Sequence, residues 1–342
     1  MKNVKTIVIS IVFISISIGL GYFLGLNSSS FSKKEAPKLT NSINLNTSAL
    51  VNPLLPCIQE MKLNMKELKT FRPALDSYLV KIHEQYPEIH ISYYFRDLNN
   101  GLWIGVEEKE MFSPASLMKI PVMIAILKRS ETEPAFMENK IQYDTTLLDK
   151  IDEDEGDGFK KNHGEWYSID QLITQMITYS DNKATLMLMQ ALGMEDVIKV
   201  SNDLNLDIKN DLNINSNFMK VKSYAAIFRI LYNGTYLNKV NSEKALTYLS
   251  KSEFSKGIRA AVPSNVLVAH KYGTRDEFDA KGNSINIQLH HFGIVYHKQK
   301  PFLIGIMTRG GKKEIREKII FDLSKLTYDE VESFCNKNGL DN

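Results

Sequence analysis

Cysteine is scarce: Cys57 and Cys335 are the only two in 342 residues, too few for a disulfide framework or a four-thiolate zinc site. The 7 histidines form no H-E-x-x-H or similar ligand spacing, so the sequence implies no metal or other cofactor. An excess of one charge is missing as well. With 42 Lys and Arg against 40 Asp and Glu the net charge is +2, and the chain lacks the basic footprint that a nucleic-acid partner requires. Long apolar runs are absent with one exception. Behind Lys2 and Lys5, residues 7–26 carry no charge over twenty positions, which as a helix matches a hydrocarbon core of roughly 30 Å. The lysines ahead of it predict a cytoplasmic N-terminus and an extracytoplasmic remainder. The exit Gly25-Leu26-Asn27-Ser28 has no A-x-A cleavage pattern. The expectation is therefore a retained single-pass anchor at 1–26 in the cell membrane, with secretion after signal cleavage as the alternative.

Residues 27–66 are rich in Ser, Asn, Lys and Pro and read as an extracytoplasmic linker. Cys57 lies near its end. An oxidising compartment would permit a disulfide with Cys335, and two separate thiols are the equally open alternative. The folded domain is expected over 67–338. Leu68, Phe71, Leu75, Leu79 and Ile82 repeat at helical spacing, with Pro73 expected in the first turn. Two strands follow at 89–98 and 102–106, joined by a tight turn in which Asn100-Gly101 supplies positive φ angles. Helical patterns at 117–127, 169–192 and 224–231, linked by polar loops, predict a helical subdomain of about 112–262. Strand character returns at 266–270, 289–297 and 302–308, and an amphipathic helix over 312–334 closes the chain. The fold class is α+β: one antiparallel sheet assembled from both ends of the sequence, terminal helices on one face, the helical subdomain beside it. His290 and His291, adjacent in a strand, should point to opposite faces, which argues against a shared metal site. The acidic run 152–157 lacks the ligand order of an EF-hand and reads as a solvated loop.

Ser116-Leu117-Met118-Lys119 puts a hydroxyl and an amine three residues apart at an expected helix start, after Ser113-Pro114-Ala115. Positions i and i+3 share a helix face, so the amine can reach the hydroxyl. A serine hydroxyl is a weak nucleophile until a base takes its proton, and a desolvated lysine can be that base. The spacing alone is weak, since Ser30/Lys33 and Ser180/Lys183 repeat it. Context decides: Ser180-Asp181-Asn182 follows at sixty-four residues, and Lys271-Tyr272-Gly273-Thr274 stands on an expected strand eighty-nine residues after Asn182.

These three motifs in this order resemble S-x-x-K, S-D-N and K-T-G of the class A β-lactamase family, among the penicillin-recognising serine enzymes. The resemblance covers about 67–334 and implies that family's β-lactamase/transpeptidase-like fold. It implies Ser116 as the acylated nucleophile, Lys119 as its proton partner, Ser180 as a relay to the leaving nitrogen and Lys271 as the cation that attracts a carboxylate. Asn182, Gly273 and Thr274 would bind substrate, the N–H groups of Ser116 and Thr274 forming the oxyanion hole. Asp181, beside a helix start, reads as a structural cap. Two departures stand out. Tyr272 replaces the family's Thr or Ser, leaving Thr274 or Arg275 as possible substitutes, and no glutamate occurs between Glu195 and Glu243, where the family carries the one that activates the deacylating water. Asp203, Asp207 and Asp211 are the shorter carboxylates available there. The expected activity is that of a membrane-anchored serine hydrolase of the β-lactamase type, acylated by β-lactams or related amides and slow to deacylate. The alternatives are a peptidoglycan DD-peptidase-like enzyme acting on wall peptides and a covalent β-lactam sensor or binding module.

Overall fold

Apolar alternation and apolar stripes decide the layers. The computed structural model describes residues 68–143, 164–206, 217–276 and 287–339. Helix α1 is Leu68–Gln85, followed by β1 (His90–Asp97), β2 (Trp103–Val106) and β3 (Met111–Phe112). A 3-10 turn at Ala115–Met118 runs into α2 (Lys119–Thr132), and β4 (Lys140–Gln142) and β5 (Trp166–Ser168) form a small ribbon. Then come α3 (Ile169–Thr178), α4 (Asn182–Leu192), α5 (Met194–Asp203), β6 (Met219–Lys220), α6 (Val221–Asn233), α7 (Lys239–Ser250) and α8 (Ile258–Ala261). The chain closes with β7 (Val268–Arg275), β8 (Gln288–Val295), β9 (Phe302–Arg309) and α9 (Lys313–Lys337).

The main sheet has the order β2-β1-β9-β8-β7 and is antiparallel throughout, built from both ends of the described chain as expected. Strand residues alternate between two cores, as the period of two demands. Leu303 and Met307 of β9 pack with Phe292 and Ile294 of β8 against the helical block. Phe302, Ile304 and Ile306 face the opposite core with Phe71 and Leu75 of α1 and Ile319 and Leu323 of α9. His290 and His291 follow the same alternation: His290 reaches the carbonyl of Ser113 on one side, His291 the N–H of Ile258 on the other.

Several local expectations are corrected. Pro73 is the sixth residue of α1 rather than in its first turn. It is exposed, so the carbonyl its missing N–H leaves unpaired can turn to water. In the β1–β2 turn only Gly101 has a positive φ, +79°. Asp97 organises this turn by accepting from the N–H groups of Asn99 and Asn100 at 2.7 and 3.3 Å. The pattern over 169–192 is two helices, broken at Tyr179-Ser180-Asp181. Helices α5 and α7 occupy stretches expected to be polar loops, and β7 extends to Arg275. Residues 7–26, the linker, Cys57, the acidic run, Asp207 and Asp211 lie outside the described residues. Among those described, no helix is long and apolar enough to cross a membrane. Cys335 is fully buried in the core beneath α9.

Three buried histidines make the fold acid-sensitive. Burial, with Lys271 and Arg259 nearby, pushes His270 down to about 3. Burial pushes His290 down to about 4 and His291 well below its ordinary value. Each is neutral when folded and more basic when unfolded, so its contribution is complete above about pH 6.5 and is lost as pH falls toward these depressed values. The slope is up to about 1.4 kcal/mol per pH unit per histidine. Urea unfolding at pH 7 and pH 5 should show a marked loss of stability at the lower pH; equal midpoints would contradict the buried neutral state.

Candidate active site

The nucleophile turn owes its geometry to the short run Ser113-Pro114-Ala115. Pro114 takes φ −68°, and Ala115 takes φ +50°, a region that disfavours any residue with a Cβ. The strained step launches the 3-10 turn, whose buried Leu117 and Met118 lock it into the helical core. Tyr224 of α6, fully buried, donates its hydroxyl to the carbonyl of Leu117 at 2.7 Å. Ser116 therefore sits at the N-terminal end of a continuous helical segment, in the 3-10 turn rather than the α-helix itself.

Lys119, the first residue of α2, is buried. Its Nζ stands 2.9 Å from Ser116 Oγ, 3.0 Å from Ser180 Oγ and 2.7 Å from Asn182 Oδ1, and it also donates to the carbonyl of Ser180. Ser180 is held in the left-handed region at φ +61°, which turns both its oxygens toward this amine. Asp181 caps α4, its Oδ1 accepting from the N–H of Ala184 at 2.7 Å. Four oxygens of three residues, drawn from two sequence motifs, thus converge on one nitrogen.

The third motif approaches from the sheet edge. The backbone of β7 lies against the nucleophile turn at Gly273, where a Cβ would stand 3.0 Å from the carbonyl oxygen of Pro114 and 3.2 Å from the nitrogen of Leu117. Glycine is needed there for close approach. Lys271, two residues earlier on the same face, is fully buried. Its Nζ donates to the carbonyl of Tyr272 at 3.2 Å and lies 4.5 Å from that ring's centroid. The Tyr272 ring stacks on Phe254 at 3.9 Å, so the residue that departs from the family pattern is held by an aromatic partner. Thr274 is exposed on β7, and Arg275 donates to Ser113 Oγ at 3.1 Å.

Asp203 is not part of this cluster. It accepts from Lys199 and from the hydroxyl of Tyr236, and Tyr236 in turn accepts through its carbonyl from Lys128. Lys128 is nine residues beyond Lys119 on α2, about 13 Å along the axis, so Asp203 belongs to the far end of that helix. Tyr224, Phe254 and the strand residues that hold Ser113 carry no motif; each is recruited by tertiary packing. Among the described residues no group of three His, Cys, Asp or Glu could hold a metal ion.

No curated protein sequence matches the chain. Among solved structures, PBP-A is similar over 76% of this chain and 96% of its own, with 19% identity and a TM-score of 0.65. A mutant of PBP-A similar to the same extent, with a TM-score of 0.64 and 19% identity over 76% of this chain and 97% of its own, is an acyl-enzyme complex with penicillin G. A β-lactamase from Francisella tularensis matches with 21% identity and a TM-score of 0.65 over 76% of this chain and 99% of its own. These likenesses establish the β-lactamase/transpeptidase-like fold. A family model described as the β-lactamase enzyme family matches residues 74–331, and the chain belongs to that family of class A β-lactamase-like serine enzymes.

Proposed function

We infer that this protein is a serine acyl-transferring hydrolase whose Ser116 is acylated by β-lactams, or by the peptide-like amides those rings resemble, and which releases the acyl group slowly. The carrying observation is the position of the Lys119 amine among Ser116 Oγ, Ser180 Oγ and Asn182 Oδ1. A neutral amine has two N–H donors and one lone pair. The Ser180 carbonyl and Asn182 Oδ1 take the two donors, and the lone pair is left for the proton of Ser116. Ser116 Oγ then bonds to the lactam carbonyl carbon as the C–N bond breaks. The proton passes from Lys119 through the Ser180 hydroxyl to the leaving nitrogen. Lys271 supplies positive charge beside the sheet edge, and the N–H groups of Ser116 and Thr274 receive the developing oxyanion.

Slow deacylation is expected from the missing glutamate, the residue that activates the deacylating water in the family. No glutamate occurs between Glu195 and Glu243, and Asp203 is engaged at the far end of α2. A labelled penicillin should attach at one site per chain, and Ser116→Ala should abolish it; labelling that survives this change would remove the assignment. The enzyme works outside the cytoplasmic membrane, held by residues 7–26. Full-length chain expressed in bacteria should pellet with membranes, and protease added to intact spheroplasts should digest its domain.

A further inference from the structure

Ser113 stands three residues before the nucleophile and is completely buried. Each of its polar groups is held by a side chain from the sheet. Its N–H donates to Gln288 Oε1 at 3.0 Å. Its carbonyl oxygen is 2.9 Å from His290 Nε2; a carbonyl only accepts, so that nitrogen carries the proton. Its Oγ accepts from Arg275 Nη1 at 3.1 Å. Arg275 and Gln288 are register partners across β7 and β8, and His290 lies on the same face of β8 two residues on. The preceding residues are tied to the same corner. The His290 ring meets Phe112 edge-on at 5.5 Å, and Arg309 of β9 donates to the carbonyl of Met111 at 3.0 Å. Gln288 Nε2 donates to Asn217 Oδ1 at 2.9 Å, which fixes the amide orientation.

Such an anchor matters because the next step of chain is unfavourable. Ala115 has φ +50°, and a conformation of that kind persists only where both sides of it are held. Downstream, Tyr224 holds the Leu117 carbonyl and β7 abuts the turn at Gly273. Upstream, the grip on Ser113, together with the β7 backbone packed beside the Pro114 carbonyl, stands between the strained residue and the two-residue strand β3. Without it the turn can relax toward an ordinary φ and carry Ser116 Oγ away from Lys119 Nζ.

We propose that Gln288 and His290 are positioning residues for the acylation step: through Ser113 they keep the Ala115 turn strained and Ser116 aligned with Lys119. This rests on the acylation chemistry proposed above. The test uses the purified chain with labelled penicillin, reading the maximal acylation rate separately from the affinity of the preceding non-covalent complex, together with amide hydrogen exchange of the peptide spanning 113–118. His290→Phe keeps the ring against Phe112 and removes the donor, and His290→Gln restores an N–H at nearly the Nε2 position. Gln288→Met removes the acceptor and serves where His290→Phe fails to fold. The expected result is a fall of tenfold or more in maximal acylation rate for His290→Phe and Gln288→Met, affinity within about twofold, faster exchange over 113–118, and recovery to within about threefold in His290→Gln. Parental rate and exchange in both removal variants would overturn the proposal, as would His290→Gln being as slow as His290→Phe. If the parent itself takes no label, the acylation reading fails, and the exchange comparison alone decides the positioning role.

Discussion

Replacing Lys119 by methionine is expected to slow acylation of Ser116 by about a hundred- to ten-thousand-fold, the usual range for loss of a general base. Methionine fills a similar volume and offers neither a lone pair nor a donor. The loss extends beyond proton transfer. The amine is what holds the carbonyl and hydroxyl of Ser180 and the side-chain oxygen of Asn182 in one place, and Ser180 needs that grip to stay at φ +61°. Leaving a buried acceptor unsatisfied costs about 1–3 kcal/mol, partly offset because a buried amine no longer has to be desolvated. A lowered but cooperative melting transition is therefore expected alongside the kinetic defect. Stopped-flow labelling checks it; a folded variant acylating within tenfold of the parent would mean that another group takes the Ser116 proton.

The largest stability effect is expected at Gly305, in the middle of β9. Its register partner on β8 is Phe292, and a Cβ at 305 would stand 2.3 Å from that ring's Cε1 and 2.5 Å from its Cδ1. The ring has nowhere to go. Tyr224 packs edge-on against it at 4.7 Å, and Phe228 is stacked over it at 6.3 Å. Gly305→Ala should cost about 3 kcal/mol, the upper part of the usual overpacking range, or roughly 6–12 °C in melting temperature for a domain of this size. The damage reaches the site, because Phe292 is the cross-strand partner of Lys271 and Tyr224 holds the Leu117 carbonyl. Differential scanning calorimetry and the acylation rate should both register the change. An alanine variant with unchanged melting temperature would show that the aromatic cluster is looser than its contacts indicate.

The parts of this site that were legible in the sequence are those whose chemistry depends on spacing or order. Ser116 and Lys119 are one helical step apart, Asp181 has the chemistry of a cap, and Gly273 marks a backbone approach on a strand. The antiparallel sheet built from both ends followed from period-two runs with strong β-formers. What stayed hidden depends on tertiary context. The positive φ angles of Ala115 and Ser180 fall on residues that usually avoid that region, and no glycine or proline announces the break between α3 and α4. Helix α7 was missed because its buried stripe is thin: Val240 is 75% exposed and polar Ser242 is buried. The hold on Ser113 comes from Gln288 and His290, 175 and 177 residues away, and no local pattern encodes such a contact.

Intact-protein mass spectrometry, followed over hours after a single exposure to penicillin G, reads acylation and release together. The expected record is one adduct of the antibiotic's mass, mapped to Ser116, rising to one per chain and persisting long after free penicillin is removed. Rapid return to the unmodified mass with sustained penicillin consumption would contradict the slow-release assignment, and no adduct without consumption would contradict acylation by β-lactams.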